Sequence, residues 1–270
     1  MARLLITIYD SIDAAPVGGL LCCELCSANP PYDWGGPVRN TIDAMERFAL
    51  LMQEQGEGDS VEAARIRKYQ IWTEGLLRSL DELESSRYAA LRFAKLLNVT
   101  SFEEMTPEDR LNYYNHIYFD KNAFIRLFSV LDKLGTLMNE YLGLDTENRM
   151  ENHFSFFTVL RNMRHNGLHP ELAEKLEALY EPRREAMGRL RRRRNMEIHQ
   201  MNAELQDDLL QVLNVKREQP HLENIDENMV DLNEGWELVY LALALVFNHM
   251  CKKGEETGAS RLRSDRKWRR

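Results

Sequence analysis

The sequence predicts an all-α protein, an antiparallel bundle of six or seven helices. Along most of the chain, apolar residues recur every three or four positions, which is the spacing of one face of an α-helix. The segments with this spacing begin or end at capping residues and are joined by short polar stretches, as in helical bundles. After residue 40 the chain lacks the alternation of apolar and polar residues that predicts a β-strand.

The first two helices are predicted over residues 38–53 and 61–97. Asp59 or Ser60 supplies the N-cap of the second helix, because its side-chain oxygen can accept a hydrogen bond from a free N–H of the first turn. Gly75 is a weak point inside this helix, since glycine lowers helix stability.

The third helix has the clearest start. Thr106 is followed by Pro107 and two acidic residues, a combination that favours the first turn of a helix. The helix is expected to end near Gly143. Its aromatic residues keep helical spacing, so we interpret them as core residues rather than as a platform for stacking bases.

The second half of the chain continues this pattern. A helix over residues 153–164 is followed by Pro170, which starts a long helix that is expected to extend to residue 212. The apolar stripe of this long helix consists of Leu172, Leu176, Leu179, Met187 and Leu190. The last helix, residues 232–250, is apolar on nearly every side and is therefore expected to be a central core helix.

Three regions follow from these boundaries. Residues 1–37 are rich in proline and glycine and are interpreted as an irregular N-terminal segment. Residues 38–250 form the helical domain. Residues 251–270 are basic and are expected to be a flexible tail.

Charge is unevenly distributed along the chain. The 270 residues carry a net charge of −8, so any nucleic-acid site must be a local basic patch. Arginine is concentrated in residues 183–194 and 261–270. No apolar stretch reaches the roughly 18 residues of a membrane-spanning helix, and Asp10 interrupts the apolar start that a signal peptide would need. We therefore expect a cytoplasmic protein without a membrane partner.

The four cysteines are Cys22, Cys23, Cys26 and Cys251. Cys23 and Cys26 form a single CxxC pair, whereas a structural zinc site needs four ligands and usually two such pairs. We expect reduced thiols and no metal site, with zinc binding as the alternative.

A charged and polar segment late in the chain, residues 191–199, is the candidate functional site. The apolar stripe that ends at Leu190 continues on the helical wheel to Arg194. Because burying an unpaired guanidinium is costly, we expect Arg194 to face a pocket or a partner subunit. Asn195 and His199 are four residues apart and share a face of the helix.

These residue types suit chemistry on a phosphodiester. The planar guanidinium of arginine binds phosphate in two places, histidine moves a proton near neutral pH, and asparagine can orient either group. The alternative is a solvated basic helix end, where the helix dipole favours cations.

The spacing of Arg and His recurs elsewhere in the chain. It is found at Arg110 with His116 and at Arg164 with His169, as expected by chance in a chain rich in both residues. Arg164 and His169 straddle a helix end, so we interpret them as partners of the helix dipole or as a secondary site.

Arg194 and His199 present a geometric problem of their own. On an unbroken helix they are about 140° apart around the axis. They converge only if the helix ends or bends between them, or if a second subunit contributes its own copy.

Residues 191–199, late in an all-α chain, resemble the HEPN superfamily (higher eukaryotes and prokaryotes nucleotide-binding). The signature of that family is Arg-x(4–6)-His, often with Asn directly after the Arg, and the match here runs from Arg194 and Asn195 to His199. Residues 154–160, followed by a loop and this helix, are similar to a bacterial HEPN subgroup. The likeness covers about residues 38–250.

The resemblance implies a metal-independent endoribonuclease without a cofactor. In many HEPN proteins two copies of the motif meet at a homodimer interface, and a ribose 2′-OH attacks the adjacent phosphate. The products are a cyclic phosphate and a 5′-OH. By this likeness His199 would move the proton, Arg194 would hold the scissile phosphate, and Asn195 would orient either group.

The likeness also suggests further contacts and partners. Arg191, Arg192 and Arg193 are expected to contact RNA, Arg192 at least lying away from the core stripe. The basic tail with Trp268 could add contacts to RNA or simply keep the chain soluble. Many family members are toxins or phage-defence effectors, so an antitoxin or a defence partner is expected.

Two other functions stay open at this point. Some HEPN proteins have lost activity and serve as modules that bind RNA, nucleotide or a protein partner. The third possibility is a helical scaffold whose basic patch docks an acidic protein.

Overall fold

The structure, a computed structural model, describes residues 35–97, 104–149, 154–199 and 224–268, and the side chains of these residues except 199 and 257–268. Within these ranges there are seven α-helices of ten or more residues and no strand, which confirms the all-α prediction. The helices are α1 (Gly36–Gln55), α2 (Val61–Ala94), α3 (Pro107–Leu142), α4 (Phe156–His165), α5 (Pro170–Tyr180), α6 (Arg184–His199) and α7 (Ile225–Trp268). A single turn, Thr146–Arg149, precedes α4, and a 3-10 turn, Glu181–Arg183, lies between α5 and α6.

The predicted caps of α2 and α3 are present. The side chain of Ser60 accepts a hydrogen bond from the backbone N–H of Ala63 at 3.0 Å. Thr106 and Asp109 form a reciprocal capping box at the start of α3, and Gly143 ends that helix with a left-handed φ of 68°. These caps satisfy backbone groups that have no partner within the helix.

The helices α2 and α3 form an antiparallel hairpin. The ring of His116 lies 3.0 Å from the carbonyl oxygen of Ala90 near one end, and the ammonium of Lys133 donates to Ser79 at 2.8 Å further along. Because partners late in α2 pair with partners early in α3, the two helices run in opposite directions. This is the arrangement predicted for neighbouring helices joined by a short connection.

The first and last helices run parallel to each other. The hydroxyl of Thr41 donates to the carbonyl of Tyr240, and Arg47 donates to the side chain of Asn248. The partners advance in the same direction along α1 and α7, so this pair of helices departs from the antiparallel order of chain neighbours.

The central position predicted for the last helix is confirmed. The α7 side chains that are at most 1% exposed include Leu238, Val239, Leu243, Val246 and Phe247. At Gly235 the helix approaches its neighbours closely, because an added Cβ would lie 2.5 Å from Leu127 of α3 and 2.9 Å from Leu190 of α6. This glycine therefore allows α7 to pack tightly between α3 and α6.

The end predicted for the last helix is wrong. The sequence predicts a helix end near Met250, whereas α7 continues to Trp268. The flexible tail over residues 251–270 stays a prediction. Cys251 and Gly254 are buried, and Gly254 accepts a hydrogen bond from Gln55 of α1 at 3.2 Å. Packing against α1 thus continues at least to Gly254, one turn beyond the predicted end.

The helix predicted to start at Pro170 is interrupted. Its apolar stripe suggests one continuous helix, but the chain forms a 3-10 turn at Glu181–Arg183. Pro182 lacks a backbone N–H and cannot continue the α-helical hydrogen bonds. The predicted continuation over residues 200–212 and the N-terminal segment 1–34 lie outside the described residues.

Among the described helices, none has an apolar stretch long enough to cross a membrane.

Candidate functional site

The guanidinium of Arg194 lies against helix α3. Its central carbon is 4.9 Å from the centre of the Phe128 ring, an arrangement in which the ring quadrupole attracts the cation. The Nε atom is buried and has no hydrogen-bond partner among the described residues, and no carboxylate there forms an ion pair with the side chain. Arg194 therefore keeps N–H groups that an anion could bind.

A groove of about 400 Å³ opens beside this side chain. It lies between α3 and the last two turns of α6 and is lined by Ile125, Phe128, Ser129, Asp132, Lys133, Thr136, Arg194 and Ile198. Arg194 was expected to face a pocket or a partner subunit, and it lines this groove. The sequence did not indicate the α3 wall, because Phe128 has the helical spacing of an ordinary core residue.

Asp132 is the acidic residue of this groove. One oxygen of its carboxyl accepts a hydrogen bond from the backbone N–H of Phe156 at 3.1 Å. Burial raises the pKa of the carboxyl, while that hydrogen bond and the charges of Arg194 and Arg191 act in the opposite direction. Asp132 thus lies within the electrostatic field of two of the candidate arginines without being ion-paired to either among the described contacts.

Helix α6 is unbroken from Arg184 to His199. Positions 194 and 199 are therefore separated by about 140° around the helix axis. The helix does not end between them, which removes one of the ways in which they could converge within this chain. The side chain of His199 lies outside the described part, and a second copy of the chain remains the other source of an imidazole. Asn195, four positions before His199, is exposed.

The match to a family model covers this region. A model of the Cthe2314-like HEPN family matches residues 72–251, two thirds of the chain. The chain belongs to the HEPN superfamily. Comparisons with curated proteins and with solved structures give no match. In this HEPN protein the matched residues begin in α2, include the Arg194–His199 motif and end in α7.

The three arginines before the HEPN motif have different environments. Arg191 stacks on the ring of Phe157 with its central carbon 4.6 Å from the ring centre, and Arg192 is exposed. Arg193 forms an ion pair with the fully buried carboxylate of Asp120 and lies over a ring of α3. The side chain of Arg193 is only 15% exposed, so it holds α6 against α3.

The secondary candidates, Arg164 and His169, bind different partners. Arg164 donates to Glu177 at 2.7 Å. The ring of His169 lies 3.0 Å, nitrogen to nitrogen, from the ring of His249 on α7. Burial lowers the pKa of both histidines, and the charge of Lys253 lowers it further. The two candidates are therefore parts of two separate contacts.

The other Arg–His pair with this spacing is Arg110 with His116, and its histidine makes a structural contact. His116 is fully buried and bonds through Nδ1 to the carbonyl of Ala90, whereas Arg110 is exposed at the start of α3.

Of the four cysteines, only Cys251 lies among the described residues. Cys22, Cys23 and Cys26 lie outside the described residues, so the zinc alternative stays untested. Cys251 is a buried free thiol whose Sγ lies 3.8 Å from the carbonyl oxygen of Ala44, and burial raises its pKa. A thiol in this environment is a packing residue rather than a nucleophile.

Proposed function

We propose that this HEPN protein is a metal-independent endoribonuclease that acts as a homodimer on RNA. The observation that carries the proposal is Arg194, whose guanidinium is stacked on Phe128 at the edge of an open groove and lacks a carboxylate partner among the described residues. A cation held in this way is prepared for a phosphate.

The reaction follows from the residue types of the motif. His199 takes the proton of a ribose 2′-OH, and the 2′-oxygen attacks the neighbouring phosphorus. The bond from phosphorus to the 5′-oxygen breaks, the 5′-oxygen takes up a proton, and the phosphate closes into a ring. Arg194 stabilises the negative charge that grows on the phosphate oxygens, and Asn195 orients the imidazole or the phosphate. The need for a 2′-OH selects RNA over DNA.

The dimer supplies what one chain lacks. Because α6 is continuous, Arg194 and His199 of one chain are on different sides of the helix. A two-fold axis near Arg194 would bring the imidazole of one copy to the guanidinium of the other, and each dimer would then contain two equivalent sites. Arg191 and Arg192 then contact the backbone of the RNA on either side.

Asp132 favours a second function, a non-catalytic module that binds RNA, nucleotide or a protein. Its carboxylate lies in the same groove as Arg194 and, when charged, opposes a phosphate there. The raised pKa of Asp132 reduces this opposition but does not remove it. The third function, a scaffold that docks an acidic protein, requires only the basic surface of α6.

The cellular role proposed for the enzyme is that of a cytoplasmic toxin or antiviral effector with an antitoxin or a defence partner. Such an enzyme must be held inactive until needed, because it would cleave the RNA of its own cell.

Cleavage assays on tRNA, mRNA and rRNA test the proposal. The wild type is expected to cleave RNA in EDTA as well as in Mg²⁺ and to leave cyclic phosphate ends. His199→Ala is expected to lose at least a hundredfold in rate, since general acid–base catalysis contributes about that much. The matched control is His165→Ala, an exposed histidine at the end of α4 that should leave cleavage unchanged.

Circular dichroism and thermal unfolding of each variant show whether its fold is retained. Intact RNA after incubation with the wild type under both conditions would refute the enzyme proposal. RNA binding that weakens steeply with salt, without product, would instead establish the non-catalytic module.

A further inference from the structure

A second cavity, of about 200 Å³, lies among α4, the end of α5 and α6. It shares no lining residue with the Arg194 groove. Four guanidinium groups line it, those of Arg161, Arg164, Arg184 and Arg191, and one carboxylate, that of Glu177. In a chain with a net charge of −8, such a local concentration of cations indicates a site for an anion.

Two aromatic rings hold two of these cations. The central carbon of Arg191 lies 4.6 Å from the centre of the Phe157 ring, and that of Arg184 lies 5.6 Å from the centre of the Tyr180 ring. The ring centres are 5.1 Å apart. Stacking fixes each guanidinium plane, which lowers the entropy cost of binding. The N–H edges of Arg191 have no described partner, whereas Arg184 also donates to Glu177 and Glu181.

The acidic side chains nearby do not neutralise the cavity. Glu177 accepts from Arg164 at 2.7 Å and lies 3.5 Å from Arg184, which also pairs with Glu181. Arg161 is exposed and, like Arg191, forms no ion pair within the described part of the chain. Two carboxylates therefore face four guanidinium groups.

The cavity is close to the candidate site along helix α6. Arg191 lines the cavity and Arg194 lines the groove, and residues three apart are neighbours on a helix surface. The charges of both residues act on Asp132. A strand of RNA whose scissile phosphate lies at Arg194 would thus have a neighbouring phosphate within reach of the cavity.

We propose that this arginine cavity binds a backbone phosphate of single-stranded RNA next to the phosphate held by Arg194. The inference rests on the proposed function in that it takes RNA as the ligand. The cavity positions the strand and takes no part in bond breaking. Guanidinium groups bind phosphate and carboxylate oxygens in the same forked manner, so the nearness of the cavity to Arg194 along α6 is what favours a strand of phosphates over an acidic peptide.

The test measures binding separately from cleavage. The probe is a fluorescent single-stranded 2′-O-methyl oligonucleotide, which lacks the attacking hydroxyl, and anisotropy is followed as salt is raised. The variant is Arg161→Ala with Arg184→Ala. The matched control is Arg78→Ala with Arg92→Ala, which removes two exposed arginines from α2.

The cavity variant is expected to bind the probe at least about tenfold more weakly than the wild type, because one hydrogen bond to a charged group contributes about a factor of ten or more to the affinity. The slope of log K against log salt should become shallower by about 0.7 for each lost phosphate contact. The control should bind like the wild type. Equal binding by the cavity variant and the control would overturn the proposal.

Two further comparisons assign the ligand. Equal loss of affinity for probes with and without a 5′-phosphate supports a backbone phosphate, whereas loss confined to the 5′-phosphorylated probe would overturn the backbone assignment in favour of a terminal phosphate. Displacement of the probe by polyglutamate as readily as by unlabelled oligonucleotide would overturn it in favour of an acidic protein.

Failure of this inference and failure of the proposed function have different signatures. A wild type that cleaves RNA, together with a cavity variant that binds and cleaves normally, rejects the cavity alone. A wild type that never cleaves, together with weaker binding by the cavity variant, rejects the enzyme and keeps the cavity. In an active enzyme the cavity variant should raise KM with little change in kcat.

Discussion

Adjacent arginines on α6 have opposite roles. Arg193 is held by the buried carboxylate of Asp120, whereas Arg194 lies over Phe128 without an acidic partner among the described residues. Helical periodicity predicted that Arg194 faces a pocket or a partner subunit, and the structure places it against α3 beside a groove. The sequence alone could not distinguish the two, because the difference depends on which α3 residues oppose them.

The histidine pair, His169 with His249, predicts how stability changes with pH. Burial is the largest cause that lowers the pKa of both histidines. The charge of Lys253 lowers both further, and the charges of His169 and Lys252 lower the pKa of His249. A hydrogen bond from His169 to the carbonyl of Leu142 and the charge of Glu171 near His249 oppose this. As the pH falls below the ordinary value of 6.5, the unfolded chain takes up protons that the folded chain does not. The free energy of unfolding should therefore decrease as the pH falls, until the lowered pKa values of the folded state are reached.

Urea unfolding measured across this range checks the prediction. In His169→Asn the decrease should be smaller than in the wild type, and asparagine tolerates the left-handed φ of 45° at this position. His165→Asn, an exposed control, should behave like the wild type. An unchanged pH dependence in His169→Asn would show that the pair does not titrate in this way.

Among the helices, α3 and α4 meet at a glycine. A Cβ added at Gly135 would lie 2.9 Å from the Cα atom of Phe156, and backbone cannot move aside as a flexible side chain can. This approach places the N–H of Phe156 on Asp132, one turn away from Gly135. The shape of the Arg194 groove thus depends on a residue that does not line it.

Gly135→Ala is expected to destabilise the fold by about 1–3 kcal/mol, the cost of overpacking. The control Gly75→Ala lies inside α2, where the nearest atom to an added Cβ is 3.9 Å away, and it should stabilise the fold by about 0.4–1 kcal/mol. Chemical denaturation of both variants measures the two changes. Equal stability of the two variants would show that α3 and α4 are not in close contact at this glycine.

The boundaries of elements were predicted where capping chemistry is local. Ser60, Thr106 and Gly143 act as caps as their types indicate. The break at Pro182 was missed because a 3-10 turn of three residues leaves the apolar spacing on either side nearly in phase. The first turn of α7 beyond Met250 was missed because its contact with α1, from Gln55 to Gly254, is tertiary and has no local signal.

For the whole molecule, the all-α class followed from periodicity, but the pairing of helices did not. The parallel contact of α1 with α7 joins residues about 200 positions apart, for example Thr41 with Tyr240, and no local pattern indicates it. The same limit applies to the arginine cavity. Arg161 and Arg184 belong to different helices, and only the tertiary fold brings them to one place. The HEPN motif could be predicted from the sequence because its residues lie within about one turn and a half of a single helix.

The central claim, a composite site made by two copies of the chain, is tested most directly by mixing two inactive variants. Arg194→Ala and His199→Ala are each expected to be inactive, and light scattering should show that both remain dimers. If Arg194 of one copy acts with His199 of the other, a mixed dimer contains one intact site and one doubly defective site.

RNA cleavage by the unfolded and refolded equimolar mixture is the measurement. Half of the dimers are then mixed, and each mixed dimer has one intact site out of two. The activity should therefore return to about a quarter of that of the wild type. Activity no greater than that of the separate variants, with mixed dimers present by mass spectrometry, would contradict the composite site.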